Sequence, residues 1–147
     1  MRYKIERLQS QQDVTELNAM VNAAISDLEK DPLIGIYIDF SDVSYPKDKD
    51  SVFVARHASD IVGALKYHMH STSGTIDILY VHPKHRRRKI GRRLVKEVEK
   101  DSIRRGKKKV IVYTVDGSEN FFTDRGYYLV YHSAAEDRMA KKLGSLS

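Results

Sequence analysis

The stretch Val81–Leu94, VHPKHRRRKIGRRL, constrains the fold of this chain more than any other. Its pattern is typical of a strand that runs through a positively charged loop into a helix. A helix start offers unpaired backbone N–H groups and the positive end of the helix dipole, and together these bind phosphate. The sequence therefore predicts an anion site at a strand-to-helix junction.

Length and composition are those of one domain, residues 1–147. The chain has 147 residues, of which 41% are hydrophobic and 31% are charged, so it can bury one core. It has no cysteine, which excludes disulfides, thiolate metal sites and a cysteine nucleophile. The first residues lack an apolar segment, and no run reaches the roughly 18 apolar residues of a membrane helix. We therefore predict a cytoplasmic protein without a membrane partner.

The positive charge is concentrated in one segment. Residues 82–109 contain 14 Lys and Arg against 3 Asp and Glu, a net charge of +11, whereas the rest of the chain has a net charge of −5. Such a segment can bind a phosphate-rich ligand or a nucleic-acid backbone, and it can equally be a solvated helix face. Charge alone leaves these alternatives open.

Hydrophobic periodicity predicts alternating strands and helices along most of the chain. Predicted strands are Tyr3–Leu8, Val52–Arg56, Ile61–His68, Gly74–Val81, Lys109–Val115, Tyr127–His132 and Arg138–Leu143. Predicted helices are Ser10–Lys30, capped by Ser10 or Asp13, then residues 90 to 105, ended by Gly106, and Ser118–Arg125, ended by Gly126. The segment Leu33–Asp50 is read as a second short helix followed by a loop.

This order of elements and two motifs resemble the GNAT acetyltransferase family over nearly the whole chain. The stretch from Leu79 to Leu94 is similar to the family's V-x-P-x-x-R-G-x-G-x-G loop, and Phe121–Tyr127, FFTDRGY, is similar to its F-Y-x-K-x-G-F segment. Met139–Leu143 resembles the usual last strand. The resemblance implies an α/β (α+β) fold: a mixed, mostly antiparallel, twisted sheet of six to seven strands, flanked by helices on both faces.

The resemblance also implies a binding site for acetyl-CoA as co-substrate. Backbone amides of the loop would bind its pyrophosphate, and the strand before the loop would pair with the pantetheine arm. The backbone of Leu79 and Val81 would supply the donor for the oxyanion. The residues implied to bind the cofactor are Leu79, Tyr80, Val81, Arg86, Arg87, Arg88, Lys89, Ile90, Gly91, Arg92 and Phe122.

Two departures from the family pattern concern the loop and the chemistry. Arg87 and Lys89 stand where the family most often has glycine; we expect Lys89 to keep ordinary dihedrals as a first-turn helix residue, and both cations to attract phosphate. Phe122 stands where the family usually has a tyrosine that protonates the CoA thiolate, and phenylalanine cannot donate a proton. Tyr127 is our predicted substitute acid, with Tyr113, Tyr128 and water as alternatives.

Asp77 is the predicted general base. Period-2 alternation puts it on the same face of its strand as Leu79 and Val81, although it can equally be an ion-paired strand-edge aspartate. Glu119 is a weaker alternative base, since an acidic residue at a helix start is also favoured by the helix dipole. The remaining histidines show no metal-ligand spacing, so no metal is predicted, and His82 beside Pro83 is read as structural.

The acceptor is predicted to be a primary amine. In the resembling family the region between the first two helices walls the acceptor site, and an acidic wall favours a cationic small molecule, a lysine side chain or a protein N-terminus. The acidic residues concerned are Asp27, Glu29, Asp31, Asp39, Asp42, Asp48 and Asp50. The assembly is predicted to be a monomer or a homodimer.

Two other functions compete with the acetyltransferase. One is a catalytically weak CoA-binding protein with the GNAT fold. Phe122 favours this alternative, because it stands where the family usually has its tyrosine acid. The other is a basic nucleic-acid-binding module. Aromatic residues are not interleaved with the basic run, so the stacking surfaces of single-strand and RNA binders are missing from it.

Overall fold

The structure is a computed structural model that describes residues 2–27, 40–114, 119–133 and 136–144. In chain order its elements are β1 (Tyr3–Arg7), α1 (Gln11–Asp27), β2 (Val52–His57), β3 (Asp60–Met69), β4 (Ser73–Val81), α2 (Ile90–Arg104), β5 (Lys109–Thr114), α3 (Glu119–Thr123), β6 (Tyr128–His132) and β7 (Asp137–Lys142). Residues 40–51 form loop and turns. The first part of the segment Leu33–Asp50, where a second short helix was predicted, lies outside the described residues up to residue 39. Residues 28–30 of the first predicted helix also lie outside them.

The strands form one seven-stranded sheet in the order β1-β2-β3-β4-β5-β7-β6. The pairs β1/β2, β2/β3, β5/β7 and β6/β7 are antiparallel, whereas β4 and β5 are parallel. A parallel pair needs a long crossover connection, which here contains α2. The predicted fold class, a mixed and mostly antiparallel sheet with helices, is confirmed.

Local chemistry sets the limits of the helices. At the start of α1, the Asp13 N–H donates to Ser10 Oγ (3.2 Å) and the Gln9 N–H donates to Asp13 Oδ2 (2.9 Å), so both predicted capping residues take part. Gly106 and Gly126 follow α2 and α3 with φ of 76° and 89°. This left-handed backbone, which glycine adopts without strain, lets the chain fold back on the last turn of a helix, so both predicted stops are confirmed.

The chain divides into two compact units. The first comprises Met1–Lys66 and Ile78–Val95. Its core is a cluster of buried side chains from α1, β2, β3, the end of β4 and the segment after residue 39, together with Leu8 directly after β1. Leu17, Val52 and Val54 are fully buried, and Phe40 and Tyr80 are exposed by only 1% and 3%. The end of β4 is thus fixed by packing.

The second unit comprises Tyr67–Asp77 and Lys96–Ser147. Val98 and Val110 are fully buried in it, and the buried Tyr67 hydroxyl donates to Asp101 Oδ2 at 2.7 Å. In contrast, all five residues of β6 are exposed, at the edge of the sheet. Along β5, Val110, Val112 and Thr114 are buried, and the residues between them are more exposed.

Candidate functional site

The strand β4 extends beyond its pairing with β5. The parallel register runs from Ser73↔Lys109 to Ile76↔Val112, and β4 continues for five more residues to Val81. Along this end the side chains alternate, with Leu79 and Val81 half-buried and Tyr80 in the core. The side chain of Tyr80, which was predicted to bind the cofactor, therefore packs inside the protein.

The loop after β4 is held by its own hydrogen bonds. The His82 N–H donates to the Val62 carbonyl of β3 (2.8 Å), and His82 Nδ1 accepts from the Lys84 N–H (3.1 Å). Residues Pro83–His85 form a 3₁₀ turn, after which Arg86 Nε donates back to the Val81 carbonyl (3.1 Å). The structural role predicted for His82 is confirmed, and the Arg86 side chain closes the loop onto the strand.

Arg87 and Lys89 adopt the left-handed backbone conformation, with φ of 63° and 64°. The prediction that Lys89 keeps ordinary dihedrals is wrong, because Lys89 precedes α2 and is not in its first turn: the Arg93 N–H donates to the Lys89 carbonyl at 3.1 Å. Left-handed geometry costs a residue with a Cβ about 1–2 kcal/mol. The loop therefore keeps a backbone that suits glycine while carrying two cationic side chains.

Backbone donors accumulate where the loop enters α2. Within the part of the chain that the structure describes, no hydrogen bond engages the N–H groups of residues 87–92. Ile90, exposed by 1%, anchors this turn in the core, and Gly91 is half-buried. With the positive end of the helix dipole, these N–H groups form a site that suits an anion such as a diphosphate.

The side chains of the loop add positive charge that is not neutralised. Arg87, Arg88, Lys89 and Arg92 are exposed, and none of them forms an ion pair with another described residue. His85 Nδ1 forms a hydrogen bond with the Tyr3 hydroxyl, at a distance of 3.1 Å between nitrogen and oxygen. Burial, followed by nearby positive charges, lowers the pKa of His85 below its usual 6.5, so it is neutral at pH 7. The charge of the loop therefore comes from its Arg and Lys residues.

Gly63 on β3 was missed by the sequence reasoning. A Cβ at this position would lie 3.2 Å from the Tyr80 carbonyl oxygen, 3.4 Å from Ile90 Cγ2 and 3.5 Å from Val81 Cγ2. The lack of a side chain therefore lets the end of β4 and the start of α2 pack closely on β3. An isolated glycine inside an apolar strand pattern is the signal that could have identified it.

Asp77 belongs to a hydrogen-bonded chain of three exposed side chains. His68 Nδ1 lies 2.7 Å from Asp77 Oδ2, and His68 Nε2 lies 2.7 Å from His70 Nε2. An ionised carboxylate can only accept hydrogen bonds, so the Nδ1–H of His68 donates to Asp77. One proton then lies in the hydrogen bond between His68 Nε2 and His70 Nε2. The two histidines were also missed, although the short turn between β3 and β4 brings residues at this separation onto neighbouring strands.

Two of the three aromatic residues of the FFTDRGY segment, Phe122 and Tyr127, are buried. Phe122, exposed by 4%, makes edge-to-face contacts with Phe121 and Tyr127 at centroid distances of 4.9 and 5.3 Å. The Tyr127 hydroxyl donates to Glu99 Oε2 (2.9 Å). Burial, and then the Glu99 carboxylate, raises the pKa of Tyr127 above its usual value of 10. Tyr127 therefore holds its proton tightly, which weighs against its predicted role as an acid.

The other predicted residues are only partly covered by the structure. Glu119 begins α3, but its side chain lies outside the described residues. Of the acidic residues predicted to wall the acceptor site, Asp42 and Asp50 are exposed, and Asp48 Oδ2 accepts from the Ser44 N–H at 2.9 Å. The side chains of the remaining four, Asp27, Glu29, Asp31 and Asp39, lie outside the described residues.

Two structural features are missing from the described ranges. Across residues 2–27, 40–114, 119–133 and 136–144, no three acidic or histidine side chains converge as ligands for a metal ion. Over the same ranges, no helix is both long and apolar enough to cross a bilayer.

Solved structures show the same fold at low sequence identity. N-acetylglutamate synthase from Neisseria gonorrhoeae, complexed with coenzyme A and N-acetyl-glutamate, superposes with a TM-score of 0.75 at 15% identity over 98% of this chain. This chain spans only 36% of that synthase. PaiA N-acetyltransferase from Thermoplasma acidophilum, in complex with coenzyme A, gives 0.71 at 18% identity, over 97% of this chain and 99% of its own. A GNAT-family acetyltransferase from Staphylococcus aureus gives 0.72 at 14%, over 97% and 100%.

At the level of sequence, no curated protein matches this chain. A family model does match: the model of the acetyltransferase (GNAT) family covers residues 18–127, three quarters of the chain, including the loop and the FFTDRGY segment. The predicted relationship is thereby confirmed, and this chain belongs to the acetyltransferase (GNAT) family.

Proposed function

We propose that this protein transfers the acetyl group of acetyl-CoA to a primary amine in a ternary complex. The observation that carries the proposal is the loop of residues 86–92, which combines left-handed backbone at Arg87 and Lys89 with consecutive unengaged N–H groups at the start of α2. The bound coenzyme A named for two of the similar structures supports the same ligand here.

The fit of the loop to a pyrophosphate rests on chemistry as well as shape. N–H groups that converge at a helix start stabilise an anion, and the exposed guanidinium groups of Arg87 and Arg88 add charge-assisted hydrogen bonds. Arg86 is engaged with the Val81 carbonyl and so positions the loop. Ile90, Gly91 and Arg92 would contribute backbone donors.

The thioester would lie along the end of β4. Because the register with β5 stops at Ile76, the backbone of Leu79 and Val81 is available to pair with an extended amide-containing arm. A backbone donor at this strand would stabilise the negative charge that develops on the carbonyl oxygen during attack. Tyr80 would not contact the arm, because its backbone N–H and C=O point toward β3 when those of Leu79 and Val81 point toward the arm.

Asp77 and its two histidines would accept the proton of the amine. As the nitrogen bonds to the acetyl carbon and the carbon–sulfur bond breaks, the nitrogen must lose a proton. The His68–His70 pair can take it, and Asp77 would orient His68 and stabilise the resulting imidazolium. This assigns Asp77 a positioning role beside its predicted role as the base, while Glu119 stays the alternative base.

The departing thiolate would take its proton from water. Phe122 has no proton to give, and the Tyr127 hydroxyl already donates to Glu99. A thiolate is a better leaving group than an alkoxide. General acid catalysis therefore matters less here than in reactions that expel an alkoxide. The same two residues favour a second candidate, a CoA-binding protein with slow turnover.

The acceptor would be a cationic amine: a small molecule, a lysine side chain or a protein N-terminus. The exposed Asp42 and Asp50 support this choice of acceptor by charge complementarity. A single domain, a monomer or homodimer and a cytoplasmic location stay predictions.

Calorimetry with acetyl-CoA tests the loop. Gly91→Trp should abolish measurable binding, because an indole at the start of α2 would occupy the space through which the pyrophosphate approaches. Ser59→Trp, an equally large change at the exposed β2–β3 turn, is the matched control and should bind like wild type. Full affinity in Gly91→Trp would contradict the assignment of the loop.

Thiol release with a panel of amines tests the chemistry. His68→Gln should lower kcat by about 10²–10⁴-fold, the usual contribution of general base catalysis, while leaving the affinity for acetyl-CoA unchanged. Asp77→Asn should give a smaller loss. Wild-type kcat in both variants would refute the proton path, and binding of acetyl-CoA without release of thiol for any amine would favour the slow CoA-binding protein.

A further inference from the structure

A second concave site lies in the second compact unit, beside the C-terminal end of α2. It is a cavity of about 670 Å³, a size typical of small-ligand pockets, between the end of α2, the start of β5 and the end of β7. Four of its nine lining residues are lysines and none is acidic: Lys107, Lys108, Lys109 and Lys142. Its lining is therefore strongly cationic.

These four lysines differ from the cations next to them. Arg104 and Arg105 both pair with Asp101, and Lys141 pairs with Glu99 at 3.1 Å. None of the four cavity lysines forms an ion pair with a described residue, and among the described residues only Lys107 forms a side-chain hydrogen bond, which Nζ donates to the Ser71 carbonyl oxygen at 3.4 Å. The positive charge that faces the cavity is thus left without a protein counter-charge.

Two of the lysines stand directly opposite each other. Lys109 on β5 and Lys142 on β7 are cross-strand partners in the antiparallel register. Like charges at opposite positions destabilise a sheet, because their side chains lie only about 5 Å apart. An anion between Lys109 and Lys142 would be attracted to both ammonium groups and would offset their mutual repulsion. The pair is therefore suited to bind an anion.

The remaining lining residues are apolar or aromatic. Ile103 and Leu143 are half-buried, and the Tyr128 side chain is exposed by 47%. An exposed aromatic ring beside cationic groups can stack on a nucleobase, while the lysines bind the phosphates attached to it.

We propose that this cavity binds a nucleoside polyphosphate. Ammonium groups on Lys107, Lys109 and Lys142 would contact the phosphates, and Tyr128 would stack on the base. The cavity shares no residue with the loop of residues 86–92, and all of its lining residues belong to the second compact unit. The proposal therefore does not depend on the CoA site.

Calorimetry with ATP and with inorganic triphosphate as probes tests the cavity, on the full chain at low salt. Lys109→Gln/Lys142→Gln should weaken the binding of both probes about tenfold, because two phosphate contacts are lost. Tyr128→Ala should weaken ATP but not triphosphate. Lys96→Gln/Lys100→Gln removes the same charge from exposed positions of α2 and should change neither affinity by more than about twofold.

Melting temperatures give a second readout that also reports folding. Without ligand, Lys109→Gln/Lys142→Gln should melt at or above the wild-type temperature, since the like-charge pair is gone. Triphosphate should raise the wild-type melting temperature and have a smaller effect on this variant. Unchanged affinity in the variant, or loss of triphosphate binding in Arg87→Gln/Arg88→Gln instead, would overturn the proposal. So would a single-stranded oligonucleotide that binds over about 100-fold tighter than ATP.

Discussion

Arg56 and the cations of the loop show two uses of positive charge within the same compact unit. Arg56 on β2 has a side chain only 15% exposed, and it pairs with Glu6, Asp13 and, at 3.6 Å, Glu16. Burial on its own would lower the pKa of Arg56, but hydrogen bonds to Asp13 and Glu6 outweigh it and raise the pKa. This charge is fully satisfied inside the protein.

The loop cations have the opposite environment. Arg87, Arg88 and Lys89 are exposed without a described carboxylate partner, on a backbone that is strained at two of the three positions. Removing one partner of a compensated and nearly buried charge destabilises the fold, whereas an uncompensated charge on strained backbone is available to a ligand. The comparison predicts that substitutions at the two places have opposite effects on stability and on affinity.

The largest expected effect is on stability at Arg56. Arg56→Ala should lower the free energy of unfolding by about 3–5 kcal/mol, because it leaves the nearly buried Asp13 carboxylate without its cationic partner and removes one of the two cations that pair with Glu6. Urea unfolding measures the change. Arg88→Ala is the matched control and should stay within about 0.5 kcal/mol of wild type. Equal losses in the two variants would contradict the comparison.

The affinity for acetyl-CoA should change on substitution of the loop cations and not on substitution of Arg56. Arg87→Gln/Arg88→Gln should weaken acetyl-CoA binding about tenfold, equivalent to about 1.4 kcal/mol, with little change in stability. Calorimetry measures the dissociation constant, and Lys4→Gln, which removes an exposed charge on β1, is the control. Wild-type affinity in the loop variant would show that its cations do not face the ligand.

Backbone strain gives a smaller effect of opposite sign. Lys89→Gly should raise the free energy of unfolding by up to about 1 kcal/mol, because relief of the left-handed conformation exceeds the entropy that glycine adds to the unfolded chain. Arg88→Gly, at a neighbouring position without positive φ, should lower it. Chemical unfolding of both variants separates the two cases, and destabilisation by Lys89→Gly would rule out strain at this residue.

The smallest effect concerns pH. Burial would raise the pKa of Glu6, but hydrogen bonds from Arg56 and Lys4 outweigh it and lower the pKa below 4.5. The carboxylate thus contributes stability above pH 4.5 that is lost as the pH falls through the lowered pKa. Glu6→Gln should be less stable than wild type by under about 1 kcal/mol at pH 7, and the difference should vanish at acidic pH. A difference that is independent of pH would contradict this.

Much of the fold could be predicted because its signals are local. Strand alternation and helix periodicity identified the elements from β2 to β7 within one or two residues, and Gly106 and Gly126 marked two helix ends. The position of the loop also follows from local pattern, since strand alternation before it and helix periodicity after it mark its two ends.

Other parts of the site depend on contacts distant in sequence. The left-handed conformation of Arg87 and Lys89 runs against the preference of both residues, so composition pointed away from it. The hydrogen bond of Tyr127 to Glu99 joins residues 28 positions apart, and the contact of Asp77 with His68 joins two strands. No periodicity encodes such pairs, and they determine which groups can transfer a proton.

Gly63 has a consequence for protein engineering. A graft of the segment from His82 to Arg92 onto another scaffold would carry over the motif but not the flat patch of β3 on which Ile90 and the Tyr80 carbonyl rest. On a host strand with alanine or a larger residue there, the start of the helix would be pushed away from the strand. A transferable module must therefore include the glycine-bearing strand together with the loop.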